Sequence, residues 1–437
     1  MARHMGEEFE PCYRAIRERE GFTTEEIHTY QNEHFLRIFR HAYDHVPAYR
    51  DLYAEAGIRK EAIRSIDDID ELPCVDKEVV KASPESFLAE NIEQYKPRVN
   101  KTSGSTGMPL NIQVDEELVT MVNALLWRHM NWAGLTFRSR SAYVERPLGF
   151  IAGKVNRTDL YATDRGRKNL TINTALIGPE TLPKICSTLA DFKADAIHGH
   201  PNMLLLLSEF LKDNPQYRIR PKCITLRSEK VTPGQRRAIE EAFGCQVFDL
   251  FAQWEFICFA AECAQHNLHH FFDLGIVEVR KDGKKVNPGE IGELVCTGLH
   301  NYSMPLIRYK TGDLGTIKEG KCPCGLEMPV IEIHGSRGKD LIVTKTGYFE
   351  VMSGLPVKMQ QVKPFRQIQF VQHDMDRLEV KIVRIESLSE EEMERMKQIV
   401  SEYFAHQLQV SISFVEDIPR TEAMKYKYVE SSVPWRF

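Results

Sequence analysis

Residues 101–110 read Lys-Thr-Ser-Gly-Ser-Thr-Gly-Met-Pro-Leu and bring hydroxyl side chains and glycines together in one short stretch. Glycine lets a backbone approach a ligand closely and turn its N–H groups inward, and serine and threonine add donors that suit phosphate oxygens. Residues 110–114 then alternate between apolar and polar side chains, as a half-buried strand does. We therefore expect a loop that joins two strands, with the candidate ligand-binding residues Thr102, Ser103, Gly104, Ser105, Thr106 and Gly107.

This loop differs from the P-loop of nucleotide-binding proteins. A P-loop leads into a helix and ends in Gly-Lys-Ser/Thr, whereas here a strand pattern follows and that ending is absent. On these residues alone, a plain flexible hairpin is the alternative interpretation. Other segments of the chain are needed to distinguish a ligand-binding loop from an ordinary turn.

The composition is that of a large globular chain. With 437 residues the chain exceeds the size at which a single core stops growing, so we expect two or more domains. Its 57 basic and 62 acidic residues give a net charge of −5, which argues against a nucleic-acid partner. No apolar run approaches the ~18 residues that span a membrane, and the N-terminus has no secretory pattern, so we expect a cytoplasmic protein without a membrane partner.

Hydrophobic periodicity predicts helices that alternate with strands between residues 180 and 251. This alternation is typical of parallel βαβ units, which bind ligands at the carboxyl ends of their strands. From Gly275 the pattern is rich in strands, and after about Gly335 a smaller α+β segment follows. We therefore predict an α/β protein with a large N-terminal domain (1–335) of stacked α/β subdomains plus a β-rich subdomain, and a small mobile α+β C-terminal domain (336–437).

Three helix boundaries are predicted in detail. Pro47 should stop a helix that begins near residue 31, because proline cannot continue a helix. Asp115 should be the N-cap of a long helix that reaches about Trp132. An acidic, then basic, amphipathic helix is expected over residues 387–408.

Further segments follow the loop in a specific order. They are Arg227-Ser-Glu-Lys, Asp249-Leu-Phe-Ala-Gln-Trp-Glu255, Ile307-Arg-Tyr-Lys-Thr-Gly-Asp-Leu314, Gly335-Ser-Arg-Gly-Lys-Asp340 and Ile418-Pro-Arg-Thr-Glu-Ala-Met-Lys425. Together with the loop, they resemble the motifs of the adenylate-forming (acyl-CoA synthetase/ligase) superfamily over nearly the whole chain. The Met-Pro-Leu ending of the loop resembles the phenylacetate-CoA ligase-like branch, which includes the CapK-like proteins of capsule biosynthesis.

The resemblance implies a role for each segment in binding ATP and Mg²⁺. It implies that the loop contacts the phosphates, with Thr102 in a catalytic role, and that Glu255 is a catalytic residue that contacts Mg²⁺ and ATP. The other residues implied to bind the nucleotide are Ser228, Glu229, Asp249, Phe251, Asp313 and Arg337. The carboxylate of Asp313 suits the ribose because it can accept from two neighbouring hydroxyls. Phe251-Ala252 departs from the Tyr-Gly of the family, which alters the surface on which adenine stacks.

The last two segments imply a moving domain. Lys339 matches the pivot about which the small domain of the superfamily rotates. Lys425 matches the lysine that bridges the substrate carboxylate and the α-phosphate, a role that suits a charged ammonium group. Met424 stands where the family has glycine, and Lys427 is a nearby rival for the role of Lys425.

Ten cysteines are present, and four of them, Cys258, Cys263, Cys322 and Cys324, form two close pairs. Zinc prefers four sulfur or nitrogen ligands in a tetrahedron. The resemblance to the branch, with Glu-Cys and Leu-His matched at residues 262–263 and 268–269, implies a structural Zn²⁺ site; its candidate ligands are Cys263, His269, Cys322 and Cys324. Substitute ligands are Cys258, His266 and His270. The alternative interpretation is a set of unrelated reduced thiols.

The implied activity is ATP-dependent conversion of a carboxylic acid, by analogy aryl or arylalkyl, to an acyl-adenylate and then to a thioester with coenzyme A. Acyl-pocket candidates are His200 and Pro201, with residues 146–150 as a second wall, and a homodimer is the expected assembly. One alternative is a different acceptor, such as a carrier protein or an amine, or adenylylation of a deazaflavin cofactor. Another is a nucleotide-binding protein that has lost catalysis.

Overall fold

The computed structural model describes residues 7–101, 110–145, 159–164, 166, 168–178, 180–227, 231, 233–336, 341–345, 347–351, 355–360, 362–363, 365–385, 387–419 and 428–433. The α-helices are α1 Phe9–Glu18, α2 Thr24–His45, α3 Pro47–Glu55, α4 Lys77–Ala82, α5 Glu116–Trp132, α6 Leu182–Phe192, α7 Pro201–Asp213, α8 Pro233–Phe243, α9 Leu355–Gln360 and α10 Glu390–Tyr403. Across these described ranges, no helix has the length and apolar character needed to cross a membrane.

The strands fall into three larger sheets and two ribbons. The first strands are β1 Val75–Asp76, β2 Arg98–Lys101, β3 Asn111–Val114, β4 Ser141–Glu145, β5 Tyr161–Asp164, β6 Asn169–Asn173, β7 Ala196–Gly199, β8 Cys223–Arg227, β9 Gln246–Ala252, β10 Phe259–Glu262 and β11 Leu268–His270. The later strands are β12 Gly275–Lys281, β13 Lys284–Lys285, β14 Gly292–Gly298, β15 Tyr309–Ile317, β16 Ile331–Ser336, β17 Leu341–Thr344, β18 Gly347–Glu350, β19 Phe365–Gln372, β20 Arg377–Arg384, β21 Gln409–Phe414 and β22 Val429–Ser431.

The central sheet has eight strands in the order β11-β10-β9-β8-β7-β4-β6-β5. Strands β6, β4, β7, β8 and β9 are parallel to their neighbours within this run. Helices α6, α7 and α8 cross over between these strands, and their apolar faces build a core that includes Ile185, Leu204 and Ile239. The predicted parallel βαβ units and the α/β fold class are therefore confirmed.

A second sheet joins β1, β15, β14, β12 and β13, and β16 pairs with β15. It shares its core with the N-terminal helices, because Phe35 and Phe39 of α2 lie in the same apolar cluster as Leu294 and Ile307. Near the C-terminus, four strands in the order β21-β20-β19-β22 pack with α10 around a separate cluster that contains Phe370 and Val400.

The structure confirms some of the predicted helix boundaries and corrects others. Helix α2 begins at Thr24, where Thr23 forms a capping box with Glu26, and the predicted start near residue 31 is wrong. Pro47 ends α2 but also opens α3 at its first position, where the missing N–H of proline costs no hydrogen bond. Asp115 is the N-cap residue of α5 by position, yet its carboxylate accepts hydrogen bonds from the amides of Tyr302 and Ser303 instead of capping the helix. Helix α10 spans only Glu390–Tyr403, because Ser389 caps it through a reciprocal pair of hydrogen bonds with Glu392.

A buried ion pair ties α5 to the loop before β12. The two terminal guanidinium nitrogens of Arg128 donate to Asp273, over 2.9 and 2.7 Å, and both side chains are inaccessible to solvent. Arg128 also donates to the carbonyl of Ile16 in α1, and Arg19 donates to Asp273 over 3.1 Å. Burial alone would raise the pKa of Asp273, but the charges of Arg128 and Arg19 hold that pKa below its ordinary value.

Asp273→Asn should destabilise the protein by about 3–5 kcal/mol, because it leaves Arg128 buried beside a neutral partner. The control is Glu10→Gln, which removes an exposed pair with Arg14 and should change stability by less than ~1 kcal/mol. Thermal unfolding measures both variants. Because the native pKa of Asp273 is lowered, the difference from wild type should be complete above the ordinary pKa of Asp, about 4, and shrink as the pH falls below it. Equal melting temperatures for the two variants at pH 7 would contradict this role.

Candidate active site

Candidate site residues gather at one edge of the central sheet. Strands β4, β7, β8 and β9 are parallel, so their carboxyl ends share that edge. His200 and Pro201 follow β7, where His200 is the N-cap of α7, and Glu255 follows β9. Ser228 and Glu229 come directly after β8 in the chain but lie outside the described residues.

The loop of residues 102–107 also lies outside the described residues, but the strands that lead into and out of it are defined. Strands β2 and β3 pair antiparallel, with Lys101 opposite Asn111, as expected for a loop that joins two strands. The side-chain amide of Asn100 donates to the carbonyl of Trp254 over 2.7 Å. The start of the loop therefore lies beside the segment that carries Glu255.

Asp313 lies in a bulge of β15. Glu293 of β14 pairs with Leu314 and Val295 pairs with Lys310, so residues 311–313 together face the single residue between these pairs. Gly312 has φ +76°, a left-handed conformation that glycine adopts without strain. The Thr311 hydroxyl donates to the carbonyl of Leu294 and accepts from the amide of Asp313, over 2.9 and 3.0 Å. Such bulges re-aim side chains, here that of Asp313.

Gln253 joins the two acidic segments. Its amide nitrogen donates to the carboxylate of Asp313 over 2.8 Å. Gln253 belongs to the tight connection between β9 and β10 that also carries Glu255, so Glu255 and Asp313 come from segments in direct contact. Gln253 lies within a sequence motif, but a glutamine carries no charge or metal preference that would mark it as a site residue.

The segment that leads to Arg337 and Lys339 begins beside Asp313. Ser336, the last residue of β16, pairs with Asp313 across the β15–β16 ladder. Arg337 and Lys339, which follow it, lie outside the described residues, as does Lys425. Asp249 and Phe251 lie on β9, and the amide of Asp249 donates to buried Glu262 over 2.9 Å.

Arg308 anchors the start of β15. Its guanidinium binds Glu278 through two hydrogen bonds of 3.0 and 2.9 Å and also donates to the carbonyls of Asp70 and Leu72. Arg308 has φ +50° although it is not glycine, and its amide donates to the hydroxyl of Thr297. The strand that carries Asp313 is therefore held in place by the residue directly before it.

His198, which has no predicted role, lies in β7 opposite Tyr143 of β4. The ring nitrogens of His198 bond the hydroxyls of Thr225 and Ser141 over 2.6 and 3.1 Å, and its ring stacks on Tyr143. Burial, with the nearby charge of Arg227, lowers the pKa of His198 to about 3, so the ring is neutral at pH 7. A cavity of about 1400 Å³ is lined by residues of α5, β4 and β6, among them Ser141 and Tyr143, and by Arg227. The described residues His200, Pro201, Glu255 and Asp313 are not among its lining residues.

The candidate zinc ligands come together. Donor atoms of Cys263, His269, Cys322 and Cys324 all lie within 4.8 Å of one another. The sulfurs of Cys263 and Cys322 are 3.7 Å apart, close to the ~3.8 Å expected for two thiolates on one tetrahedral zinc. His269 turns Nε2 toward the sulfur of Cys324, while its Nδ1 bonds the carbonyl of Met328 over 2.8 Å. Metal-binding histidines commonly bond a carbonyl in this way.

The substitute ligands lie elsewhere. Cys258 contacts His270, whose Nε2 bonds the carbonyl of Gly275 over 2.9 Å. His266 contacts the carboxylate of Glu262 over 3.3 Å. Among the described residues, only the set formed by Cys263, His269, Cys322 and Cys324 converges as a group that could hold a metal ion.

The chain is similar in sequence and in fold to known proteins. Residues 343–432 match the family model of the CapK C-terminal domain. The chain is 26% identical to the phenylacetate-coenzyme A ligase of Escherichia coli over 84% of its length and 85% of the relative. It is 21% identical to protein CapK of Staphylococcus aureus, over 92% and 89%. A solved 2-hydroxyisobutyryl-CoA ligase with bound 2-HIB-AMP superposes with a TM-score of 0.75 at 20% identity, over 95% and 91%, and this similarity establishes the fold.

Proposed function

Because the chain belongs to the adenylate-forming superfamily, in its phenylacetate-CoA ligase-like branch, we propose that it activates a carboxylic acid with ATP and transfers the acyl group to coenzyme A. An aryl or arylalkyl acid is the proposed substrate class, by analogy with the phenylacetate-coenzyme A ligases that the chain resembles. The observation that carries this proposal is the contact of three separate motif segments at one sheet edge, through Asn100 and Trp254 and through Gln253 and Asp313.

In the proposed first step, an oxygen of the substrate carboxylate attacks the α-phosphorus of ATP. The bond from that phosphorus to the β-phosphate bridging oxygen breaks, and pyrophosphate leaves. Asp313 and Arg337 hold the ribose, residues 102–107 bind the phosphates through hydroxyl and backbone N–H groups, and Ser228, Glu229, Asp249 and Phe251 surround the adenine. Holding the reactants in line provides much of the rate enhancement in such a reaction.

Glu255 is the proposed magnesium ligand. Mg²⁺ prefers oxygen ligands and is commonly held by one or two carboxylates together with substrate phosphates. Glu255 is partly buried at the sheet edge. Burial raises the pKa of Tyr309, and the negative charges of Glu255 and Asp313 raise that pKa further. When bound, the ion would neutralise charge on the phosphates of ATP.

The small C-terminal domain (336–437) is proposed to close over the nucleotide for this step and to bring Lys425 to the α-phosphate. Rotation about Lys339 would then withdraw Lys425 and admit coenzyme A. In the second step, the thiol sulfur attacks the acyl carbon, its proton is released, and the carbon–oxygen bond to AMP breaks. The acyl group would lie in the cavity beside Tyr143, whose lining does not include the predicted pocket residues His200 and Pro201.

Purified enzyme with Mg²⁺ and ATP should release pyrophosphate when an aromatic or arylalkyl acid is present in a panel of carboxylic acids. Coenzyme A should increase turnover and yield a thioester, because it removes the bound adenylate. Glu255→Gln should lower the rate by about 10²–10³-fold, the range for loss of one group that stabilises developing charge.

Tight ATP binding without acid-dependent pyrophosphate release, across the whole panel, would contradict the proposed function and favour a nucleotide-binding protein. Pyrophosphate release that forms no thioester, and that responds to a carrier protein or an amine instead of coenzyme A, would change the acceptor only.

Lys425→Ala should abolish acid-dependent pyrophosphate exchange, because the positive charge that bridges carboxylate and α-phosphate is lost. The same variant should convert synthetic acyl-adenylate to thioester at a rate close to wild type, since Lys425 is withdrawn in that step. Lys427→Ala is the matched control and should retain exchange. Normal exchange by Lys425→Ala, or loss only in Lys427→Ala, would reassign the role.

We further propose that Cys263, His269, Cys322 and Cys324 bind one structural zinc ion. A full set of four protein ligands leaves no position for substrate. The site clamps the hairpin β10–β11 to the loop before β16, and β10 pairs with β9. Glu255 lies in the connection at the other end of the β9–β10 pair, so zinc would stiffen the strands that hold it.

Cys324→Ser should lose zinc, measured by mass spectrometry of the metal content, and should melt at a lower temperature. The expected fall is about 2–4 °C for each kcal/mol of zinc binding energy removed. Cys245→Ser, which also changes a partly buried free cysteine but lies outside the cluster, should keep about one zinc per chain. Wild-type protein that stays zinc-free in zinc-supplemented medium would overturn the site.

A further inference from the structure

Strands β4 and β6 of the central sheet have one apolar face and one polar face. Their apolar side chains enter the core built with α6, α7 and α8; they are Ala142, Val144, Leu170 and Ile172. Because successive side chains of a strand point to opposite faces, the residues between them lie on the other face. Ser141 of β4 is there opposite Asn169 of β6, and the next pair is Tyr143 and Thr171. Strands of a parallel sheet are usually apolar on both faces, so these four polar residues call for an explanation.

This polar face lines the cavity of about 1400 Å³, together with residues of α5. All four of its residues belong to the lining, as does Arg227 at the end of β8. From α5, Trp127 contributes an aromatic ring, which packs on Phe137 with the ring centroids 4.3 Å apart. The cavity thus combines aromatic surface with hydrogen-bonding groups, as sites for small organic ligands commonly do.

A buried row of hydrogen bonds holds the Ser141 hydroxyl at this surface. His198 of β7 bonds Ser141 through Nε2 over 3.1 Å and Thr225 through Nδ1 over 2.6 Å. Burial lowers the pKa of His198 to about 3, so at pH 7 the ring is neutral and offers one N–H donor and one acceptor. Whichever nitrogen carries the hydrogen, the Ser141 oxygen keeps a lone pair that can accept from a ligand hydroxyl.

We propose that the substrate is an aryl or arylalkyl acid that carries a ring hydroxyl, and that this hydroxyl binds the polar face of β4 and β6 through Ser141 and Thr171. The aromatic ring of the acid then packs against Trp127. This inference rests on the proposed function, because it places the acyl group in this cavity. It narrows the substrate class, since an unsubstituted phenyl ring would offer the polar groups of the wall no hydrogen bond.

Phenylacetate and its 3- and 4-hydroxy and 3- and 4-methyl derivatives test this selectivity on the wild-type protein. Methyl and hydroxyl substituents are similar in size, so their comparison reports hydrogen bonding and not fit. The acids compete at equal concentration in one reaction with ATP, Mg²⁺ and hydroxylamine, which traps each acyl-adenylate as a hydroxamate whatever the natural acceptor is. Mass spectrometry of the hydroxamates then gives the ratios of kcat/KM. A hydroxylated acid should exceed the methylated acid of the same ring position by about 10-fold or more, as expected when one or two hydrogen bonds are gained.

Ser141→Ala and Thr171→Val each remove one hydroxyl from the wall. Each should lower the ratio of hydroxylated to methylated product by about 3- to 10-fold, the range for one neutral hydrogen bond. Because both products form in the same reaction, a loss of folded enzyme leaves this ratio unchanged. Ser208→Ala is the matched control, since the buried hydroxyl of Ser208 on α7 donates to the carbonyl of Leu204 over 2.7 Å and does not line the cavity. This variant should keep the wild-type ratio.

Methylated acids that react with the wild-type protein as fast as their hydroxylated counterparts, or faster, would overturn this inference and leave the proposed function intact. Wild-type selectivity that survives in both Ser141→Ala and Thr171→Val would overturn the assignment of the hydroxyl to this face. Absence of a hydroxamate from every one of these acids would contradict the proposed aryl or arylalkyl substrate, and this inference with it.

Discussion

The buried guanidinium of Arg308 is the constraint on which the candidate site depends. It is held by a bidentate contact with Glu278 of β12 and by two carbonyls of the N-terminal segment, those of Asp70 and Leu72. Burying a charge is costly unless its donors are satisfied, and this side chain meets that condition with partners from two distant parts of the chain. Its left-handed backbone persists because these contacts over-determine it.

The consequence of this anchor lies just beyond it in the chain. Because Arg308 is fixed, Tyr309 enters β15 opposite Cys296 in a defined register, and the three residues of the bulge must then face one residue of β14. The bulge presents Asp313 to Gln253, so the position of one carboxylate follows from a salt bridge made by the residue five positions before it. Loss of Glu278 would therefore disturb the site without touching a ligand.

The chain order and the residue types allowed much of this to be predicted. Alternating strands and helices between residues 180 and 251 predicted the parallel sheet, and the strand pattern at residues 110–114 predicted the β2–β3 ribbon. The proximity of Cys263 and Cys322, which are 59 residues apart in the chain, could be predicted because zinc prefers sulfur and nitrogen ligands. These features carry a local pattern or a chemical preference that one sequence displays.

Other features had no such signal. The pairing of Arg128 with Asp273 joins residues 145 positions apart, and nothing in either neighbourhood marks it as buried. Local rules predict that the side chain of Asp115 caps α5. Its carboxylate instead accepts hydrogen bonds from the backbone amides of Tyr302 and Ser303. The contact of Gln253 with Asp313 likewise depends on a bulge whose geometry requires three strands in register. Polar contacts between residues that are far apart in the chain are therefore not predictable from local sequence patterns.

The electrostatics of the site also explain why the proposed reaction needs cations from outside the loop. Residues 102–107 contain no lysine or arginine, and Glu255 and Asp313 both contribute negative charge near Tyr309. An ATP molecule with its phosphates would add several more negative charges to this edge, where repulsion is poorly screened away from bulk water. In the proposed reaction, a divalent ion bound with ATP and the ammonium of Lys425 would supply positive charge at different moments, because Lys425 would arrive only with the small domain. In this arrangement, closure of the small domain would supply the charge that adenylation requires, and its withdrawal would remove that charge before the thiol reacts.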